Sequence, residues 1–81
     1  MPYAHHPPIT DPVLLVKMRR TISTLKASGL DDDAVSRNVY GQVGDHNRFN
    51  SGTVTLGQMN RFLTENGLPA IGGDNNAYVG V

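Results

Sequence analysis

The N-terminal third of the chain carries apolar residues at the spacing of an α-helix, recurring every three or four positions. These positions are Leu14, Met18, Ile22 and Leu25, with Leu15 at the edge of the stripe. Asp11 and Pro12 precede the stripe and favour a helix start, because the carboxylate accepts hydrogen bonds from first-turn amides and proline suits the first helical position. Gly29 can adopt the left-handed conformation that ends a helix. The pattern therefore predicts a helix from Pro12 to about Ala27.

A second and shorter helix is predicted over residues 33–43. Its apolar residues recur at every fourth position, at Val35, Val39 and Val43, and an aspartate of the preceding cluster can cap it. Residues 44–52 are turn formers and polar side chains, and this composition predicts a loop.

A third helix is predicted to begin at Leu56. Thr55 and Gln58 have the spacing of a capping box, in which each side chain bonds the backbone N–H of the other residue. The apolar residues of this helix are Met59, Phe62 and Leu63. Gly67, followed by leucine and proline, predicts its end.

The segments on either side of the helices have a different composition. Residues 1–11 are rich in proline and predict an extended arm, and residues 69–81 are rich in glycine and asparagine and predict a second arm. Tyr78, Val79 and Val81 have no evident partner within the chain. We therefore expect an all-α fold, with a helical domain at residues 12–68 between two extended arms.

The composition of the 81-residue chain excludes several classes of protein. It has 7 basic and 7 acidic side chains and no cysteine, so that neither a disulfide framework nor a thiolate zinc site can form. The longest apolar run, residues 13–16, is too short for a bilayer span. We expect one small domain in a reducing compartment, with no membrane segment and no signal peptide.

Residues 45–59, with the sequence DHNRFNSGTVTLGQM, resemble the loop of an EF-hand. In that family a twelve-residue loop binds calcium, and a glycine at its sixth position makes a sharp turn. Aligned on Gly52, the loop runs from Asn47 to Gln58 and has Val54 at the aliphatic eighth position. With its flanking helices the resemblance covers residues 33–66 and implies a helix-loop-helix fold.

The residues at the implied ligand positions depart from the family pattern. They are Asn47, Phe49, Ser51, Thr53 through its carbonyl, Thr55 and Gln58. None is a carboxylate and Phe49 cannot coordinate a cation, whereas calcium requires hard, negatively charged oxygen ligands. Starting the loop at Asp45 does not restore the set, because Leu56 then takes the place of the final acid. We therefore expect no metal and no cofactor; the alternative is a polar loop that contains a glycine by chance.

The string D-x-N-R-x-N-S-G-T-V-T-x-x-Q is similar to the degenerate EF-hands of ciliary and flagellar proteins. In those proteins glutamine often ends the loop and the next helix carries an aromatic residue, here Phe62. The resemblance implies a non-catalytic structural protein of axonemal doublet microtubules, including their inner wall. Its implied partners are tubulin and other axonemal proteins in a large hetero-assembly, within the cytoskeleton of a cilium or flagellum.

This interpretation assigns partner contacts to residues in four places. They are Tyr3, Lys17, Arg19, Arg20, Lys26, Val54 and Tyr78. The four cations lie in a segment, residues 12–30, that has no acidic residue, and they suit an acidic surface such as tubulin; a merely solvated face has the same pattern. The tyrosines would enter grooves in partners. Residues 53–55, centred on Val54, would form an unpaired β edge that another chain fills by strand addition.

Other functions fit the residues less well. A calcium-regulated EF-hand adaptor is the main alternative, and a small DNA-binding or viral structural protein is a more distant one. Residues 12–43 have the outline of a helix-turn-helix unit, but three aspartates at residues 31–33 would repel phosphates near Arg37. His46 has no serine, cysteine or lysine nucleophile beside it in sequence, so we expect no enzymatic activity.

Overall fold

A computed structural model describes residues 2–81, and within this range the fold is all-α. Three helices follow one another: α1 at Pro12–Ala27, α2 at Asp32–Phe49 and α3 at Leu56–Glu65. Residues 2–81 contain no β-strand, but they contain an isolated antiparallel bridge between Thr55 and Tyr78. No helix in this part of the chain is long and apolar enough to cross a membrane.

The starts of α1 and α3 follow the predicted capping chemistry. Asp11 accepts hydrogen bonds from the N–H groups of Val13 at 2.9 Å and Leu14 at 3.2 Å, so its carboxylate caps α1. Thr55 and Gln58 form the complete capping box at the start of α3. Both helix starts are therefore determined locally, and the predicted bounds of α1 are confirmed.

The predicted loop at residues 44–52 is wrong over most of its length, because α2 continues to Phe49. The helix begins at Asp32, one residue earlier than predicted, after the cap Asp31. Its buried face continues past Val43 at the same four-residue spacing to Asn47, which is 1% exposed. The pattern at the end of α2 thus continues through a buried polar residue, which apolar periodicity alone does not detect.

The core is formed by all three helices and by both flanking segments. Its largest fully buried apolar side chains are Leu14, Met18, Met59, Leu63, Val35, Val39, Val43 and Val79. Ile9 of the N-terminal segment and Val79 of the C-terminal segment are 7% and 2% exposed and belong to the same cluster as the helices. The expectation that Val79 lacks an internal partner is therefore wrong.

The N-terminal segment lies along α3. Arg61 donates from Nη1 to the carbonyl of His6 at 2.7 Å and to that of Ala4 at 3.3 Å. The imidazole of His6 lies directly over Gly57, where a β-carbon would come within 2.4 Å of the ring. Glycine at this position of α3 therefore permits the close approach of the segment.

Buried polar side chains also hold the C-terminal segment, and two of them bond its first part. Asn60 is fully buried; its Nδ2 donates to the Ile71 carbonyl at 2.9 Å, and its Oδ1 accepts from the Ile71 N–H at 2.9 Å. Ser36 of α2 donates to the Pro69 carbonyl at 2.7 Å. Because buried polar groups need partners, each of these side chains fixes the path of the segment.

Candidate functional site

The connection between α2 and α3 is a tight turn. Ser51 and Gly52 both have left-handed backbone conformations, with φ of 62° and 68°. The N–H of Gly52 donates to the carbonyl of Asn47 at 2.7 Å. Glycine adopts this conformation freely, whereas serine adopts it at a cost, so the turn depends on interactions beyond its own backbone preference.

The side-chain amide of Asn47 supplies such interactions. Its Nδ2 donates to the carbonyl of Val54 at 2.7 Å and to that of Val79 at 2.9 Å, and its Oδ1 accepts from the N–H of Val54 at 2.9 Å. One buried amide therefore joins three parts of the chain: the end of α2, the connection and the C-terminal segment. Every polar atom of this side chain has a protein partner.

The other residues at the implied ligand positions have different surroundings. Phe49 is on the last turn of α2 and is 88% exposed. The hydroxyl of Thr53 lies 3.2 Å from His46 Nε2, whereas Thr55 and Gln58 are engaged in the capping box of α3. Asn47 and Phe49 are thus helical residues, and the side-chain oxygens of Thr55 and Gln58 contact each other and the start of α3.

Strand addition by another chain at residues 53–55 is wrong as predicted, because the chain itself occupies this edge. The N–H of Val79 donates to the carbonyl of Val54 at 3.1 Å, and the N–H of Leu56 donates to the carbonyl of Ala77 at 2.8 Å. These bonds flank the bridge between Thr55 and Tyr78. Val54 is 4% exposed and its backbone groups are paired, so this predicted partner residue lies in the core.

The four cations predicted to bind a partner lie on exposed parts of α1, but they do not share one face. Lys17 and Arg20 line the same shallow hollow as Val13 and Val16, whose side chains are 62% and 51% exposed. We call these four residues the valine–cation face. Arg19 and Lys26 lie elsewhere on the helix, since the helical repeat turns them away from this face.

The two predicted tyrosines also lie in separate places. Tyr3 is half-buried and its ring centroid is 6.2 Å from that of His6. Tyr78 is 48% exposed, and its ring packs against Gly52 of the turn. The structure therefore does not bring the predicted partner-binding residues together into one site.

A groove runs between α1 and α2, and the sequence did not predict it. We call it the α1–α2 groove; its volume is about 810 Å³. Its lining includes Leu14, Lys17, Thr21, Arg37, Gln42 and Phe49. A smaller hollow of about 310 Å³ adjoins it, since it shares Lys17, Thr21 and Gln42 and adds Arg20. The available signal in the sequence was the cationic residue Arg37 on the predicted second helix.

The contacts of His46 differ from those of the histidine in a hydroxyl–histidine–carboxylate triad. Asp11 Oδ2 lies 3.9 Å from Nε2, and the hydroxyl of Thr53 lies 3.2 Å from the same nitrogen. In a hydroxyl–histidine–carboxylate triad the acid contacts the other ring nitrogen, which holds the imidazole in position to accept the hydroxyl proton. Here His46 links the start of α1 to the α2–α3 connection.

Residues 2–81 contain no group of three or more histidine, cysteine, aspartate or glutamate side chains arranged to hold a metal ion.

Comparisons of the chain with family models, with curated proteins and with solved structures gave no match.

Proposed function

We propose that this chain is a non-catalytic structural component of a microtubule-based assembly, a degenerate EF-hand protein that decorates the axonemal doublet. The observation that carries the proposal is the hydrogen bonding of Asn47, which stands at the first ligand position of the implied loop. Its amide connects α2, the turn and the C-terminal segment through three hydrogen bonds. These bonds hold the helix-loop-helix in one shape, as a docking role requires.

The Asn47 bonds also weigh against the calcium-regulated alternative. A regulatory hand changes its helix arrangement when a cation draws the loop oxygens together. Here Asn47 Oδ1, the oxygen at the first implied ligand position, already accepts from the N–H of Val54, and the neutral NH₂ of the same amide donates to the Val54 and Val79 carbonyls. The hydrogen bonds of Asn47 thus fix the connection between α2 and α3 without a bound cation.

The valine–cation face is the surface that we propose to contact an acidic partner. Val13 and Val16 offer exposed apolar area beside the charges of Lys17 and Arg20. Apolar area provides affinity when it is desolvated, and the flanking cations direct the face to an acidic surface such as tubulin. Attachment through these residues should weaken as the salt concentration rises.

The proposal is tested by locating the tagged chain in a ciliated cell and by extracting the axonemes at increasing salt. We expect an axonemal signal that survives detergent. The variant Val13→Glu should lose it, because the new carboxylate repels an acidic partner. Val81→Glu is the matched control, since Val81 is 81% exposed on another part of the molecule. A nuclear or diffuse signal from the unmodified chain would contradict the proposal.

A further inference from the structure

We propose that the α1–α2 groove binds an extended acidic peptide segment of a partner protein. This inference rests on the docking role proposed above and assigns to it a contact with a defined class of ligand, in a groove that shares its α1 cations with the valine–cation face. Three observations carry it: the charges of the groove, an unpaired oxygen in its lining and an exposed aromatic ring at one end.

The charges that line the groove and the adjoining hollow are mainly positive. Lys17 and Arg20 come from α1, and Arg37 comes from α2. Among residues 2–81, ion pairs are formed by other side chains: His46–Asp11, Arg48–Asp45 and Arg61–Glu65. The one acid in the lining, Asp45, is thus paired with Arg48. Carboxylates of an occupant would therefore meet cations that have no acidic partner in the described chain.

Gln42 supplies the second observation. Its Oε1 is buried and has no hydrogen-bond partner, the only such side-chain atom in the described part of the chain. The residue lines both the groove and the adjoining hollow. A buried acceptor without a donor costs about 1–3 kcal/mol, so this oxygen is unfavourable in the free protein. Because this oxygen is inaccessible in the side-chain conformation shown, Gln42 must turn toward the groove before the oxygen can accept from a backbone N–H of an extended peptide.

The exposed ring of Phe49 is the third observation. Its ring lines one end of the groove and is 88% exposed, although a phenylalanine side chain gains much from burial. An apolar side chain of the occupant would cover it. The chemistry along the groove therefore suits an extended peptide with acidic residues beside the cations of both helices and an apolar side chain beside Phe49.

Two other classes of ligand fit the groove less well. A lipid surface is flat, whereas this site is a recess between two helices with the amide groups of Asn38 and Gln42 in its lining. A nucleic acid would bring phosphates near the aspartates at residues 31–33, at the start of α2. A peptide can supply carboxylates, N–H donors and apolar side chains together.

The test is a titration of the isotopically labelled chain with a peptide of alternating glutamate and leucine, followed by NMR and fluorescence anisotropy. A peptide with glutamine in place of glutamate is the control ligand. We expect chemical-shift changes at the groove for the acidic peptide, and affinity at least about tenfold weaker for the neutral one. Equal affinity for both peptides would overturn the inference, as would groove shifts caused by anionic vesicles or by RNA but not by the acidic peptide.

Variants test which residues carry the binding. Lys17→Glu with Arg37→Glu should weaken it about tenfold or more, whereas the matched reversal Arg19→Glu with Lys26→Glu should leave it nearly unchanged. Gln42→Leu should lower the affinity without lowering the unfolding midpoint, because it removes an unsatisfied oxygen. Equal losses in the two reversal variants would contradict a groove site.

The peptide titration and the localisation experiment can fail independently. Peptide binding without an axonemal signal would leave the groove assignment standing and overturn the microtubule proposal. An axonemal signal without peptide binding would support the microtubule proposal and overturn the groove assignment.

Discussion

The side chain of Asn47 and the backbone of Val79 are joined by a hydrogen bond of 2.9 Å across 32 residues of sequence. Both residues are buried, with 1% and 2% of their surface exposed. The bond ties the end of α2 to the C-terminal segment and helps that segment to occupy the edge at Val54. A position that resembles a cation ligand thus has a structural role within the chain.

We expect Asn47→Asp to destabilise the protein strongly. The substitution keeps the shape of the side chain but replaces the NH₂ donor with a carboxylate oxygen that faces the carbonyls of Val54 and Val79. Buried unsatisfied carbonyls and an added charge should lower the free energy of unfolding by about 3 kcal/mol or more. Urea denaturation followed by circular dichroism measures the change.

Asn38→Ala is the control for that experiment. Asn38 is exposed on α2 and donates only to the carbonyl one turn before it, so its replacement should change stability by about 0.5 kcal/mol or less. Similar losses in both variants would show that the buried bonds of Asn47 are not the cause.

Val79→Ala should destabilise the protein by about 1–2 kcal/mol, because it removes two buried methyl groups and leaves a cavity. The hydrogen bonds of its backbone remain possible in the variant. Val81→Ala is the matched control and should be neutral within about 0.5 kcal/mol, since Val81 is 81% exposed. If both variants were neutral, residues 77–79 would not be packed on the helices in solution.

Gly57→Ala should destabilise the protein by about 1–2 kcal/mol, although alanine favours helices. The new methyl group would come within 2.4 Å of the His6 ring and displace the N-terminal segment. In a His6→Ala background the clash is removed, and the same substitution should stabilise α3 by about 0.5–1 kcal/mol. A double-mutant cycle measures this change of sign, and additive effects would argue against the contact.

Calcium should leave the thermal midpoint unchanged. A sensor-type site with a dissociation constant of about 10 µM would add about 2.7 kcal/mol of stability at about 1 mM calcium. The side chains of Asn47, Thr55 and Gln58 are already engaged within the protein. Differential scanning calorimetry with and without calcium measures the shift, and a clear increase in midpoint would favour the calcium-regulated adaptor.

Local signals in the sequence were sufficient to predict α1 and the start of α3. Asp11 and the Thr55–Gln58 pair act on backbone groups within three residues, so their effect can be derived without knowledge of the fold. The end of α2 could not be predicted in this way. Residues 44–48 are glycine and polar residues that favour a loop locally, but Asn47 finds its partners at Val54 and Val79 after the chain has folded.

One candidate surface could likewise be predicted from local sequence, whereas the other depends on the folded chain. Exposed cations on α1 follow from helical periodicity, and the valine–cation face could be derived from it. The α1–α2 groove depends on how two helices pack, and the unpaired oxygen of Gln42 depends on which donors lie within reach. Neither property is encoded in the spacing of residues along one helix.

The contacts of α3 have a consequence for the order in which a nascent chain acquires structure. α1 and α2 are neighbours in sequence and can pair as soon as both have left the ribosome. α3 is bound by Arg61 to the beginning of the chain and by Asn60 to residues 71 and 75. We therefore expect this ten-residue helix to become protected from protease only after synthesis has passed residue 75, later than the pairing of α1 with the first turns of α2.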